Sequence, residues 1–464
     1  MRIRRSLTSS TAVLALALAA CGGDDGDAGN SGSDRGTTLT VWNQEFQPDR
    51  MKKTQAILDD FTAETGIKTK LVPVPDDQLA TLITNAAAAG ELPDVVLATT
   101  MADSQGYAAQ DIFDAEAAQA VVDRLGAETF SQKALDLVSA DGVATGVPSD
   151  AWGMLLIYRK DLFEEAGLDA PETLEDVRVA AERLHRDGRV GIALATAPGD
   201  GFTAETVEHL ALMHGCELVD ADGNVTFDAP ECVEALRFYG DLARNYSAAG
   251  SQDVESTRAT YFAGRSAMVI WSPFILDGLA GLRDDTKPSC PQCKRDPQFL
   301  AENSGLVGAL EGPGGERAQF GVVSTLNISV DADTEAAQQL VEFMLTKGYT
   351  RWLAVSPQGK YPVRAGATEG STEFADAWKE LESGVDRKAP LRDIYSEDSI
   401  AALGESVESF RRWAFTQGQG ALLGALLGEQ PIAKAGADVI AGKDPAEAAQ
   451  ETKAKVEEIQ TSLE

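Results

Sequence analysis

Cys290-Pro-Gln-Cys293 and three histidines, His185, His209 and His214, are the residues of this chain best suited to metal or nucleophilic chemistry. A CxxC pair can exchange thiols for a disulfide or supply half a zinc site. The first use needs a thioredoxin-like βαβ setting and the second needs another ligand pair, and the sequence offers neither. His209 and His214 stand five apart, whereas ligands on one helical face need a spacing of four, and no HExxH occurs. No G-x-S-x-G elbow is present, and "EGPGGE" (311–316) lacks the Lys-Ser/Thr of a phosphate loop. With 73 acidic residues, carboxylate pairs at glycosidase spacing carry no information. The chain therefore reads as a binder and not an enzyme, without cofactor or metal. A secreted hydrolase is the weakest alternative.

Cys216, Cys232, Cys290 and Cys293 form an even set that allows three pairings. The arrangement Cys216–Cys232 and Cys290–Cys293 is favoured, because each pair lies within one local segment. The fifth cysteine, Cys21, closes the leader. Arg2, Arg4 and Arg5 precede an apolar block, Ala12 to Ala20, that is too short for a permanent span. Leu18-Ala19-Ala20-Cys21 resembles the lipobox of bacterial lipoproteins, in which the cysteine thiol receives a diacylglyceryl group. A plain secretory signal with a chance cysteine is the alternative. Residues 22–37, nearly all Gly, Asp, Ser, Asn and Thr, cannot seed a core. The expected plan is a signal peptide over 1–20, a disordered tether over 21–37, and a mobile body anchored outside the membrane through Cys21.

The body is long enough for two cores, and 44% hydrophobic content is that of an ordinary soluble protein. A formal charge of −33 repels phosphate backbones, so nucleic acid is excluded as a partner.

The elements that must position any site follow from periodicity. "TLTVWN" (38–43) alternates as a strand. Asp49 is expected to cap a helix through Thr65, with Ile57 and Phe61 on one face and Gly66 ending it. "IKTKLVPV", 76–89 and "PDVVLA" continue as strand, helix and strand, the pattern of a parallel sheet covered by helices. "GMLLIY" (153–158) is a strand followed by a helix from Lys160. Thr173 with Asp176 makes a capping box for a helix to Arg186. "VGIALA" is a strand, 203–214 a helix, and "DADGN" (220–224) a turn, with Asp228 and Pro230 opening the next helix. A helix near 334–346 presents Leu340, Val341 and Met344 to the core. The last 65 or so residues read as helical throughout. Pro273 and Asp277 interrupt the apolar run 267–282, which excludes a second span.

Several of these stretches together resemble the extracellular solute-binding proteins of ABC importers, in the carbohydrate-binding branch that includes maltose-binding protein. They are "LTVWNQE" with "ILDDFTAETGIKTKLVPV", "AAAAGELPDVVLAT", and "DGVATGVPSDAWGMLLIYRKDLFEEAGLDAPETLEDVRVAAERL". "FAGRSAMVIWSPFIL", "YPVR" and "VIAGKDPAEAAQE" follow in the expected order. The resemblance implies an α/β, type II periplasmic-binding-protein-like fold, with two lobes, a hinge and a ligand cleft between them. It further implies lobe 1 from 38–147 plus 321–362 and lobe 2 from 148–320 plus 363–464. The function implied is capture of a sugar or oligosaccharide and delivery to ABC permease subunits, by a monomer. A peptide, a polyamine or a glycerol phosphodiester is the alternative cargo.

Sugars present hydroxyls, matched by carboxylate, amide and guanidinium groups, and C–H patches, matched by aromatic faces. The resemblance places such residues at strand ends. Trp42, Asn43, Gln44 and Glu45 follow the first strand, Asp103 the third, and Asp150 and Trp152 a lobe crossing. Trp271, Ser272 and Phe274 follow a later strand, with Phe274 where the family usually has Trp, which leaves open which aromatic stacks on the sugar. Arg364 in "YPVR" is expected to reach the cleft. Trp413 packs or covers the cleft, while Phe163, Phe343 and Trp352 read as core.

Overall fold

β1 (Thr38–Asn43) buries Leu39 and Val41 on one face, as its alternation requires. α1 (Pro48–Thr65) turns Ile57, Leu58 and Phe61 inward and stops at Gly66, whose φ of 78° needs a residue without Cβ. Asp49 does not cap this helix. Gln47 is the cap residue, Pro48 supplies a first turn with no N–H to satisfy, and Asp49 lies inside that turn facing the positive end of the dipole. The computed structural model described here covers residues 37–426 and 428–463. The expected leader and most of the tether, Cys21 included, lie outside the described residues.

β2 (Lys68–Pro73), α2 (Leu79–Ala89), β3 (Val95–Thr100) and α3 (Met101–Ala108) complete the first unit. Then come β4 (Val147–Gly153), β5 (Leu155–Arg159), α4 (Lys160–Ala166) and α5 (Leu174–Leu184). At the start of α5 the capping box is formed: Thr173 Oγ1 accepts from the Asp176 N–H at 3.1 Å, and Asp176 accepts from the Thr173 N–H at 2.9 Å. β6 (Val190–Ala193), α6 (Gly201–Met213) and α7 (Pro230–Tyr246) follow, then β7 (Ser266–Trp271), β8 (Ser304–Val307) and β9 (Arg317–Ile328). Asp228 makes no cap for α7, where Ala229 holds that position; its carboxylate instead meets Lys453 at 3.0 Å.

The chain continues through α8 (Thr334–Met344), β10 (Tyr361–Pro362) and β11 (Phe410–Arg411), then α9 (Gly420–Leu426), α10 (Pro431–Ile440) and α11 (Pro445–Thr461). The C-terminal stretch is therefore not helical throughout. β11 pairs in parallel with Gln319 and Phe320 of β9. The Phe410 ring lies where a Cβ on Gly321 would stand 2.0 Å from it, so two backbones meet only because glycine leaves the space. Among the described residues, no helix is long and apolar enough to cross a membrane.

Two sheets carry the fold. The larger runs β10-β4-β9-β3-β1-β2, with β1 parallel to β2 and β3, and β9 antiparallel to both β3 and β4. The smaller runs β8-β5-β7-β6. β9, the longest strand, is buried along almost its whole length, so it lacks the period-two signature of a half-exposed strand. The backbone passes from the larger sheet to the smaller between Gly153 and Leu155. α9 lies against α3, so close that a Cβ on Gly420 would meet Gln105 Oε1 at 2.0 Å, while α10 packs on α6 and α7.

Cys216 is bonded to Cys232 and Cys290 to Cys293. The first bridge spans a sequence separation of 16 and joins the end of α6 to α7. Replacing both partners, Cys216→Ser with Cys232→Ser, should lower stability by about 2–4 kcal/mol through the larger unfolded ensemble. Urea unfolding of the oxidised protein and the double variant reads this directly, and equal midpoints would contradict it.

Candidate ligand-binding site

Two looped-out residues shape the strand ends that face the smaller sheet. In β3, Ala98 adopts φ 63° and is skipped between the pairs Thr99↔Thr325 and Leu97↔Leu326. In β4, Ser149 is skipped between Asp150↔Ser324 and Pro148↔Thr325. Such bulges sharpen strand twist and re-aim the side chains that follow. After the first, Thr100 caps α3: its hydroxyl accepts from the Asp103 N–H at 3.1 Å and donates to the Asp103 carboxylate at 2.8 Å. Burial raises the Asp103 pKa, opposed by that hydrogen bond and by the charge of Arg412.

After the second bulge, Asp150 is fully buried and accepts from Ser149 Oγ at 2.6 Å, Trp352 Nε1 at 2.9 Å and Lys360 Nζ at 3.1 Å. Lys360, 1% exposed, also meets Glu45 at 2.8 Å and lies 4.3 Å from the Trp352 ring centroid. Glu45 in turn pairs with Arg50 at 2.5 Å. Burial alone would raise the Glu45 carboxyl, but the charges of Lys360 and Arg50 outweigh it and hold the pKa at about 2. The ammonium of Lys360 is disfavoured by burial and restored by Asp150 and Glu45, for a net upward shift.

The facing surface comes from β7 and α6. Trp271, at the end of β7, packs on Phe202 with ring centroids 4.5 Å apart. Phe202, Glu205 and Glu208 recur every three residues on α6 and therefore share a face. Glu208 accepts from Arg412 Nε at 2.8 Å and from the Trp413 N–H at 3.1 Å, and the guanidinium lies 4.2 Å from the Phe320 ring centroid. Glu205 is half-buried. Burial pushes its carboxyl up to about 7, against the pull of Arg412 and with added repulsion from Glu208 and Asp200. Arg412 thus acts electrostatically on Asp103 and on Glu205.

Between the sheets, Trp152, Gln358, Tyr361 and Trp378 meet Leu155 and Pro273 around a narrow recess with room for about one water molecule. A second, polar recess of similar small size lies among Asp49, Arg50, Lys53, Asp277, Arg283 and Ser356. Phe274 touches residues of both: its ring meets Trp152 edge-on at 6.1 Å, and the Arg50 guanidinium lies 5.3 Å from its centroid.

The residues nominated from sequence fall into two groups. Asp103, Trp152, Trp271 and Phe274 are half-buried or at strand ends in this region, and Ser272 is half-buried beside them without capping the turn it precedes. Gln44 is also here, buried at the end of β1 with Oε1 lacking a hydrogen-bond partner. The others serve the interior. Trp42 packs on a small cluster of Val74, Leu79, Ile83 and Val96. Asn43 bonds Thr54 and the Glu45 backbone. Glu45 and Asp150 belong to the lysine network. Arg364 does not extend into the recesses: it donates to Thr129 Oγ1 at 3.0 Å, Leu345 O at 2.5 Å and Leu125 O at 3.3 Å, between the Phe130 and Phe374 rings. Trp413 is likewise internal, donating to Cys216 O at 2.7 Å. Sequence reading missed Phe202, Glu205, Glu208, Lys360 and Arg412. Only the three-residue spacing along α6 could have signalled the first three.

A family model described as bacterial extracellular solute-binding protein matches residues 47–351. The chain belongs to this family. A relative within it, the putative ABC transporter periplasmic-binding protein YcjN of Escherichia coli (strain K12), is 28% identical over 356 residues, or 74% of this chain and 76% of that one. The arabinooligosaccharide-binding protein of Halalkalibacterium halodurans is 27% identical over 211 residues, 44% of this chain and 41% of its own. Among solved structures, the GacH receptor of Streptomyces glaucescens, known with acarbose, aligns with a TM-score of 0.69 at 19% identity, covering 92% of this chain and 99% of that one. A solute-binding protein of Agrobacterium radiobacter holding ribitol aligns at 0.64 and 19%, covering 91% and 99%. The shared fold is the two-lobed, type II periplasmic-binding architecture, and the family is one of solute-binding proteins, not enzymes.

Replacing Lys360 by Met leaves Glu45 and Asp150 buried against less positive charge, and should cost about 3–5 kcal/mol at pH 7. Glu45 titrates at about 2 in the fold against an ordinary 4.5, so its stabilising pairing is complete above 4.5 and is lost as pH falls toward 2. Urea midpoints of wild type and Lys360→Met should therefore converge below pH 4.5. A gap that stays constant with pH would contradict the network.

Proposed function

We propose that this chain is a membrane-tethered extracytoplasmic binding protein that captures a sugar, polyol or short oligosaccharide between its lobes and presents it to ABC permease subunits. The observation that carries the reading is the face formed by the Trp271–Phe202 pair, Glu205, Arg412 and Asp103. It joins aromatic planes for C–H patches to carboxylate and guanidinium groups for hydroxyls, drawn from both sheets. A solute that touches both sides favours the closed arrangement by its differential contacts, and a permease can read that difference. The lobes proposed are 38–147 with 321–362, and 148–320 with 363–464. Membership of β4 in the larger sheet supports moving the first crossing to 153–155.

Calorimetric titration against panels of saccharides, polyols, peptides and polyamines tests the cargo. A saccharide or polyol is expected to bind, and Trp271→Ala should weaken it by about 1–3 kcal/mol with the fold intact. Binding of only a polyamine or a peptide would transfer the proposal to those solutes, since Asp103 and Glu205 would equally suit a cation. Cys21→Ser should release the protein from membranes into the soluble fraction without altering affinity, and a variant that still sediments with membranes would refute the lipid anchor.

A further inference from the structure

Phe274 stands where an aromatic ligand platform is expected, yet its ring is occupied by protein. Trp152 of β4 meets its edge at 6.1 Å, and the Arg50 guanidinium of α1 lies 5.3 Å from its centroid. Gly359, just before β10, lies so near that a Cβ there would stand 2.2 Å from Phe274 Cε1 and Cζ. All three neighbours belong to segments packed with the larger sheet, whereas Phe274 follows directly on β7 of the smaller. The ring therefore joins segments of the two lobes through contacts that the protein makes with itself.

Arg50 cannot turn freely to this position or away from it. Its guanidinium pairs with Glu45 at 2.5 Å, Glu45 pairs with Lys360 at 2.8 Å, and Lys360 is fixed by Asp150 at 3.1 Å. Trp152 is two residues beyond Asp150 on the same strand, so the strand that fixes the lysine also fixes the indole. The groups that receive Phe274 are thus held in place by the first lobe's own buried charges.

We propose that Phe274 is a latch: it seats in a preformed socket of Trp152, Arg50 and Gly359 and biases the empty protein toward the closed arrangement. The latch sets affinity through the population of the closed state and not through contact with the solute, because a closed state already favoured leaves less for the ligand to supply. This holds whatever solute binds, and so does not depend on the sugar reading.

The test is small-angle X-ray scattering of the full mature protein without solute, for wild type, Phe274→Ala, Gly359→Ala and the double variant, each with a thermal melt to establish folding. Loss of an aromatic pair and a cation–π contact should shift the closed-to-open ratio about tenfold toward open. Phe274→Ala and Gly359→Ala should each raise the radius of gyration. In the Phe274→Ala background Gly359→Ala should add nothing, since its added methyl then has no ring to meet. If Phe274→Ala does not fold, Phe274→Leu, which keeps apolar bulk but loses the π face, replaces it with the same expectation. Profiles of either folded single variant that superimpose on wild type would overturn the latch, as would a full further expansion in the double variant.

Discussion

A buried ammonium organises the strand ends of the larger sheet. Lys360 is withdrawn from bulk solvent, so its charge is tolerable only while Glu45 and Asp150 remain within reach, and each carboxylate needs the lysine in return. That mutual requirement joins the loop after β1, the bulged β4 and the segment entering β10. Trp352 and Ser149 satisfy the remaining valences of Asp150, and Arg50 those of Glu45. Charges so arranged add little net stability compared with apolar packing, but they permit few alternative geometries. The recess-lining residues Trp152, Gln358 and Tyr361 are attached to these fixed points.

On α6, which packs against β9, the charged groups are arranged differently. Burial raises the Glu205 carboxyl to about 7, and Glu208 holds the Arg412 guanidinium against Phe320.

The alternating β1, the α1 stripe ending at Gly66 and the Thr173 capping box were legible because each is a local pattern with a local cause. β9 was not, because burial on both faces erases alternation, and β11 was not, because its pairing depends on distant Gly321 and Gly153, where a side chain would collide with the Phe410 ring. The site was half legible. Aromatic and charged types at strand ends drew attention to Trp271, Phe274 and Asp103, which the structure places at the end of β7, shortly after it, and shortly after β3. The same criterion drew in Arg364 and Asp150, since charged side chains ordinarily point to solvent and these are buried by partners far away in sequence. Lys360 carried no signal for the same reason.

All four cysteines that form bridges belong to segments around the smaller sheet, whereas the stretch from Thr38 to Ala144 contains none. The segments around the smaller sheet therefore carry two covalent ties that form only where an oxidant is supplied. The larger sheet, completed by β4, β9 and β10 from later in the chain, has no such tie in any of its strands and depends on burial and ladder hydrogen bonds.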